Sequence, residues 1–210
     1  MWRTFLAMAG SLVVVLSLRV VAGDDSLTPT GNTPGVAAGE LLPAFESTDD
    51  SGNAWRSADH VGKKVVVLYF YPGDFTGGCT RQAQAYRDAL AKIEELAAEV
   101  VGVSGDEVAT HKLFKETYGL THSLLADTDG QLAKLLGVPV TAGGRVRATG
   151  PDRKPLLTPD GQRIDLERSA TLARWTVVVD RDGTIVSLRN VVNPVTDAED
   201  VRKIVEALAK

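Results

Sequence analysis

The sequence has very little cysteine: a single residue, Cys79, in a chain of 210. One cysteine excludes an intrachain disulfide, a Cys-x-x-Cys redox pair and a zinc site built from several thiolates. Histidine is also scarce, and His60, His111 and His122 are too far apart in sequence for the ligand spacing of a zinc or haem site. The sequence therefore predicts neither a metal ion nor a bound cofactor.

The chain also lacks an excess of basic residues. Its 23 Lys and Arg stand against 27 Asp and Glu, which gives a formal net charge of −4 at pH 7. This balance does not favour nucleic acid or an anionic membrane surface as a partner. The composition, 44% hydrophobic and 24% charged, is that of a globular protein, and the length suffices for one full domain with appendages.

The N-terminal apolar run falls short of a membrane span. Residues 5–18 follow Arg3 and are fewer than the ~20 that a transmembrane helix needs. The small residues at 20–22 resemble a cleavage site, so residues 1–22 are predicted to be a signal peptide. This implies export, to the periplasm or as a secreted protein, although Arg19 leaves an uncleaved N-terminal anchor open.

Composition divides the rest of the chain into a leader and a domain. Residues 23–38, with several Pro, Gly and Thr, predict a flexible leader, and residues 39–210 the folded domain. Within that domain, residues 141–172 carry turn residues and six bases against four acids. We interpret them as an extended, solvated loop insertion, with docking of a reductant or a partner subunit as the alternative.

The central stretch of the domain predicts a strand followed by a helix. Residues 65–71 are continuously apolar and rich in β-branched and aromatic residues, which indicates a buried strand that Pro72 and Gly73 end. After Gly78, apolar residues recur on one helical face: Ala83, Tyr86, Leu90, Ile93 and Leu96. Cys79 thus lies at the start of a helix, where unpaired N–H groups and the helix dipole favour a thiolate.

The remaining pattern alternates strands with helices. It predicts strands over residues 100–104, 124–126, 175–179 and 184–189, and helices over residues 107–118, 131–136 and 198–209. Asp106 is the predicted N-cap of the first of these helices, and Gly119 its end. The alternation predicts an α/β fold with a central, mostly parallel β-sheet and helices on both faces.

The residues around Cys79 carry a family resemblance. The pattern Pro72-x-x-x-Thr76-x-x-Cys79 resembles the signature of peroxiredoxins, and its surroundings are similar to the bacterioferritin-comigratory (peroxiredoxin Q) subfamily. Matching segments follow in the same order at residues 86–88, 102–106, 111–114 and 124–127. The likeness covers roughly residues 35–210 and implies a thioredoxin-like fold.

The resemblance implies a thiol peroxidase with four site residues. Cys79 would attack hydrogen peroxide or an alkyl hydroperoxide and become a sulfenic acid. Arg174, which stands six residues before Asp180 as in the family's strand, would favour the thiolate and hold the peroxide oxygens. Thr76 would hydrogen-bond the thiolate or the peroxide, and Pro72 would shield the pocket from water.

The chain departs from this subfamily at the position of the resolving cysteine. Many members carry that cysteine five residues after the first one, where this sequence has Gln84. The expected enzyme is therefore a one-cysteine peroxiredoxin, recycled by an external thiol such as thioredoxin or a small thiol, and either monomer or homodimer. A second departure is Gly77, where the subfamily often has proline.

Two other classes of function stay open from the sequence. A thiol–disulfide oxidoreductase of the thioredoxin type normally needs Cys-x-x-Cys, but Arg81 and Gln82 stand where the second cysteine would fall. A catalytically inactive thioredoxin-fold binding module would show no peroxide consumption that depends on Cys79.

Overall fold

The computed structural model describes residues 35–209. The predicted signal peptide, residues 1–22, and residues 23–34 of the predicted leader lie outside this range. Residues 35–38, the end of the predicted leader, are described. Val36 packs against an apolar cluster of the domain, and Gly39 N–H donates a hydrogen bond to the carbonyl of Ile185 at 2.8 Å.

Nine strands and five helices make up the described fold. The strands are β1 (Glu46–Asp49), β2 (Ala54–Arg56), β3 (Val65–Phe70), β4 (Ala98–Ser104), β5 (Ser123–Ala126), β6 (Val140–Arg147), β7 (Asp165–Leu172), β8 (Trp175–Val179) and β9 (Ile185–Arg189). The helices are α1 (Ser57–His60), α2 (Gly77–Glu94), α3 (Val108–Tyr118), α4 (Gln131–Leu135) and α5 (Asp197–Leu208). Those predicted from periodicity are confirmed, with ends that differ by one or two residues.

Seven of the strands form one sheet in the order β2-β1-β5-β4-β3-β8-β9. Strands β3, β4 and β5 pair in parallel, whereas the outer pairings are antiparallel. The sheet is therefore mixed, and the expected parallel pairing is confined to its three central strands. An Asp-Gly turn joins β8 and β9, with Gly183 at φ +88°.

The central strand divides two apolar layers. All six residues of β3 are fully buried, and their side chains alternate between the two faces of the sheet. Val65, Val67 and Tyr69 pack with residues of α2, α3 and α5. Val66, Leu68 and Phe70 pack with residues of α4 and of β8. A strand buried on both faces has no polar alternation, which is why it reads as a continuous apolar run.

One predicted helix cap is wrong and one is confirmed. Gly119 ends α3 in the left-handed conformation, at φ +62°. Its N-cap, however, is Glu107, without a side-chain cap bond, and not Asp106. The Asp106 carboxylate instead accepts the backbone N–H of Asp74, because it points at the loop that follows β3.

The segment 141–172 is not a loop. Strands β6 and β7, at its two ends, pair antiparallel from Val140↔Leu172 to Arg147↔Asp165 and form a two-stranded sheet that we call the ribbon. Isolated bridges extend this pairing at Thr149↔Pro155 and Leu157↔Arg163. The sequence does not predict the ribbon, because β6 has no buried residue and is rich in glycine and arginine and so gives no alternating apolar signal. Among residues 35–209, no helix is long and apolar enough to cross a membrane.

Candidate active site

Cys79 lies in the first turn of α2, directly after the loop that leaves β3. The thiol is 1% exposed and free of any disulfide. Helix α2 is 18 residues long and has no acidic residue in its first turn, so no carboxylate of that turn opposes the helix dipole at the sulfur. In the preceding loop, Phe75 has φ +58°, a conformation that bulky residues rarely adopt.

Arg174 meets Cys79 because β8 runs antiparallel beside β3. The pairing Phe70↔Trp175 brings the residue before β8 to the carboxyl end of β3, where the Cys79 loop begins. Nη2 of Arg174 donates a hydrogen bond to Sγ of Cys79 at 3.3 Å. Nη1 of the same guanidinium donates to Oε1 of Gln82. The planar guanidinium thus binds the Cys79 sulfur through Nη2 and the Gln82 side chain of α2 through Nη1.

Thr76 and Pro72 frame the same loop. The Thr76 hydroxyl donates a hydrogen bond to the carbonyl of Gly73 at 2.9 Å. Its proton is therefore engaged, and its oxygen keeps lone pairs that can accept a hydrogen bond from a ligand. Thr76 is the N-cap residue of α2 but makes no side-chain cap bond. Pro72, half-buried at the end of β3, has no N–H to offer.

Behind Arg174 lies a buried polar network that sequence reasoning missed. Asp197, at the start of α5, is fully buried and is held by four side chains. Oδ2 accepts from Gln82 Nε2 at 2.7 Å, Tyr86 OH at 2.8 Å and Thr176 Oγ1 at 2.8 Å, and Oδ1 lies 3.0 Å from Arg189 Nη1. The chain Cys79–Arg174–Gln82–Asp197 therefore joins α2, β8 and α5. The spacing of Gln82, three residues after Cys79, is the only sequence signal for it.

A second buried group of charges lies under the loop. Asp74 is fully buried; Oδ1 accepts from Tyr71 OH and Oδ2 from His111 Nδ1, each at 2.8 Å. Its backbone N–H donates to Asp106 Oδ2 at 2.8 Å, and Ser104 Oγ donates to the same oxygen at 2.7 Å.

These contacts change the pKa values of two groups. Burial, and then the nearby Asp74 carboxylate, raise the pKa of Asp106 to about 6. Burial alone would lower the pKa of His111, but the charge and hydrogen bond of Asp74 outweigh it and raise that pKa. His111 is thus the buried hydrogen-bond partner of Asp74.

Gln84, which takes the place of the resolving cysteine, lies away from Arg174. It lines a cavity of about 270 Å³ on the outer side of α2, together with Arg81, Thr80 and Phe75. No group of His, Cys, Asp and Glu suited to a metal ion occurs within residues 35–209.

Comparison with known proteins agrees with this geometry. The sequence model of the AhpC/TSA family matches residues 38–188, well over half of the chain. Chloroplastic peroxiredoxin Q of Suaeda salsa is 45% identical over 104 residues, which cover 50% of this chain and 48% of the relative. Chloroplastic peroxiredoxin Q of Oryza sativa subsp. japonica is 44% identical over 109 residues, which cover 52% and 50%. The chain spans about half the length of these curated relatives.

Solved structures extend the likeness to the whole fold. Peroxidoxin BcpB from Mycobacterium tuberculosis has a TM-score of 0.64 and 26% identity, covering 81% of this chain and 97% of that one. A mutant of PrxQ from Xylella fastidiosa has a TM-score of 0.65 and 24% identity, covering 83% and 98%. The predicted thioredoxin-like α/β fold is therefore confirmed.

The names of the sequence relatives correct one expectation. They are described as chloroplastic, which contradicts export to the periplasm or secretion. The segment that suggested export lies outside the described residues, so export forms no part of what we propose. The family prediction made from the residues around Cys79 is confirmed: this chain belongs to the AhpC/TSA family, and half of it is similar to peroxiredoxin Q.

Proposed function

We propose that this protein is a thiol peroxidase that reduces hydrogen peroxide and alkyl hydroperoxides through Cys79. The observation that carries the proposal is the 3.3 Å hydrogen bond from Arg174 Nη2 to Cys79 Sγ, made to a buried thiol in the first turn of a long helix. A cation and a helix N-terminus directed at one buried sulfur are suited to stabilise the negative charge of the reaction there.

The reaction is a displacement at oxygen. The Cys79 thiolate attacks one peroxide oxygen, the S–O bond forms as the O–O bond breaks, and both bonding electrons leave with the second oxygen. Sulfur is oxidised by two electrons to a sulfenic acid, and the leaving hydroxide or alkoxide takes up a proton to become water or an alcohol. Negative charge grows on both oxygens, and the guanidinium of Arg174, which already donates to Cys79, would stabilise that charge.

Thr76 has a complementary role in this proposal. Since its own proton is donated to Gly73, its oxygen acts as an acceptor for the O–H of the peroxide. That bond would orient the peroxide with its other oxygen toward the sulfur. Pro72, which adds no donor to the loop, would keep water from competing for these groups.

Regeneration needs a thiol from another molecule. With one cysteine in the chain, the sulfenic acid cannot condense with a second cysteine of the same molecule. An external thiol would form a mixed disulfide with Cys79 and release water, and a second thiol would then displace Cys79 as thiolate. Thioredoxin or a small thiol fits this requirement, with the protein acting as a monomer or a homodimer.

The test is oxidation of the reduced full chain by one equivalent of hydrogen peroxide. Stopped-flow tryptophan fluorescence follows the reaction, because Trp175 adjoins Arg174, and intact mass measures the oxygen gained. We expect oxidation at least about a hundred times faster than that of free cysteine, the size of effect that one preorganised donor supplies. Cys79→Ser should abolish the reaction. A rate equal to that of free cysteine would contradict the proposal and favour an inactive binding module.

A further inference from the structure

The ribbon places a buried arginine against the Cys79 loop. Arg168, on β7, has a side chain only 9% exposed. Its guanidinium lies so close to Gly73 that a Cβ there would be 2.4 Å from Nη1 and 2.5 Å from Cζ. Glycine at position 73 is therefore what allows the guanidinium to reach the loop.

Arg168 also faces the carboxylate that holds the loop backbone. Its Nη1 is 3.8 Å from Oδ1 of Asp106, and neither atom has a hydrogen-bond partner among residues 35–209, although both are buried. The other oxygen of Asp106 accepts the N–H of Asp74. The buried guanidinium of Arg168 thus faces the buried carboxylate of Asp106, which is itself bonded to the loop. Removal of either partner would leave an unpaired buried charge, which is costly.

The loop between Gly73 and Thr76 is consequently held from several sides. Arg168 packs on Gly73, Asp106 binds the Asp74 N–H, and the Thr76 hydroxyl closes back on the Gly73 carbonyl. Phe75, between them, keeps a left-handed conformation that persists only where its surroundings enforce it.

We infer that Arg168 is a positioning residue for peroxide reduction: by packing on Gly73 and facing Asp106, it holds the loop so that the Thr76 oxygen stays turned to the peroxide. The inference rests on the proposed function and gives the ribbon a part in it. Arg168 touches neither the sulfur nor the peroxide in this scheme, so it acts only through the loop.

Two substitutions remove the same contact from opposite sides. Arg168→Ala deletes the guanidinium, and Gly73→Ala displaces it by a methyl group, while the backbone at residue 73 stays compatible with alanine because its φ is not positive. Each should slow peroxide oxidation of Cys79 roughly ten- to a hundred-fold, as expected for a misplaced reacting group. The double variant should be no slower than Arg168→Ala, since the added methyl group then meets no guanidinium.

A second rate separates positioning from general damage. Alkylation of Cys79 by iodoacetamide needs the thiolate but not the Thr76 oxygen, so the ratio of peroxide rate to alkylation rate should fall in both single variants. Arg168→Lys, which keeps the charge but not the planar fork, should recover part of the ratio. Arg147→Ala, at an exposed ribbon arginine, is the matched control and should leave both rates unchanged.

Amide hydrogen exchange in the full chain gives the structural readout. Faster exchange of the Asp74 N–H in both single variants, with a lowered rate ratio, supports the inference. If the wild-type protein oxidises rapidly but Arg168→Ala keeps its rate ratio within two-fold, or if the two substitutions multiply in the double variant, the inference is overturned. A wild-type rate no faster than free cysteine is a different result, because it contradicts the proposed function itself.

Discussion

The sulfur of Cys79 depends on side chains that are distant in sequence. Arg174, which donates to it, is 95 residues away, and Asp197, which anchors Gln82, is 115 residues from that glutamine. The position of Arg174, six residues before Asp180, predicts the first partner through the family resemblance, and the structure brings Arg174 and Cys79 together. Nothing in the sequence marks Asp197, because its importance arises only where α5 meets α2 and β8.

Replacing Arg174 by lysine tests whether the fork matters beyond its charge. Lysine is a point charge and cannot reach Cys79 and Gln82 together as the two arms of arginine do. We expect Arg174→Lys to slow peroxide oxidation of Cys79 by roughly a hundred-fold, the usual cost of one preorganised donor. Stopped-flow fluorescence measures the rate. Arg81→Lys, on the exposed face of α2, is the control, and an Arg174→Lys rate within two-fold of wild type would show that charge suffices.

Gln82 is predicted to hold Arg174 in place. Its amide orientation is fixed by chemistry, since Oε1 faces a guanidinium and Nε2 faces the Asp197 carboxylate. Gln82→Met keeps the length of the side chain but removes both bonds. We expect the oxidation rate to fall about ten-fold and the free energy of unfolding to fall by about 1–3 kcal/mol, because buried groups lose partners.

Gln84→Met is the matched control for Gln82. It is the same substitution two residues further along α2, at a side chain that lines the outer cavity. Urea denaturation and stopped-flow oxidation would be measured on both variants. Equal effects at the two positions would mean that Gln82 does not act through Arg174 and Asp197.

At the scale of secondary structure, the elements that bury apolar side chains are those that the sequence predicts. Strand β3 is predicted because apolar side chains cover both of its faces. Helix α2 is predicted because its apolar side chains recur on a single face. The ribbon, half-exposed and rich in arginine, gives no such pattern, so the sequence predicts a loop there. The position of Asp106 predicts a helix cap, but its carboxylate instead accepts a hydrogen bond from a loop that is distant in sequence.

Gly102, in the middle of β4, should resist substitution because Tyr69 lies over it. A Cβ there would be 2.7 Å from the Tyr69 hydroxyl and 2.6 Å from Cδ2 of Leu124. The Tyr69 ring cannot easily move, since it stacks on Tyr86 at 4.5 Å and its hydroxyl bonds His122 at 2.7 Å. We expect Gly102→Ala to lower the free energy of unfolding by about 1–3 kcal/mol through overpacking.

Thermal or urea denaturation measures this loss against Gly77→Ala. At position 77, in the first turn of α2, the nearest atom to a Cβ is 3.8 Å away, so alanine fits. Alanine there should stabilise the protein by about 0.4–1 kcal/mol, since it restricts the unfolded chain. A Gly102→Ala variant as stable as this control would mean that the Tyr69 ring relaxes without cost.

Across the whole molecule, the candidate site lies where the carboxyl ends of β3 and β4 meet the helices. Two buried polar groups flank the Cys79 loop there: one runs through Arg174 and Asp197, the other through Asp74 and Asp106. The fold class and the cysteine–arginine pair followed from the sequence, whereas these supporting groups required the three-dimensional structure. Their charges should make the stability of the protein depend on pH.

Asp106 gives this dependence a definite sign. Its pKa is raised to about 6 in the folded protein from an ordinary value of 3.8, first by burial and then by Asp74. Between these values the folded state keeps a proton that the unfolded state releases, so the free energy of unfolding falls as pH rises, by up to about 3 kcal/mol. The raised pKa of His111 also makes the free energy of unfolding fall as pH rises. Protonated His111 stabilises the folded state, and this stabilisation is lost as pH rises through its pKa.

Asp106→Asn should remove the Asp106 part of this slope and leave the His111 part. The amide still accepts from Asp74 N–H and Ser104 Oγ but cannot ionise next to Asp74, His111 and Arg168. Urea denaturation of wild type and variant at intervals from pH 4.5 to 7.5 gives the difference in free energy of unfolding. As pH rises to about 6, the wild type should lose stability relative to Asp106→Asn, and above that pH the difference should stay constant. Asp182→Asn is the control, because the Thr184 N–H lowers the pKa of Asp182 and its contribution changes only below this range. A difference for Asp106→Asn that is constant with pH, or that shifts toward the wild type, would show that Asp106 is ionised throughout in the folded protein.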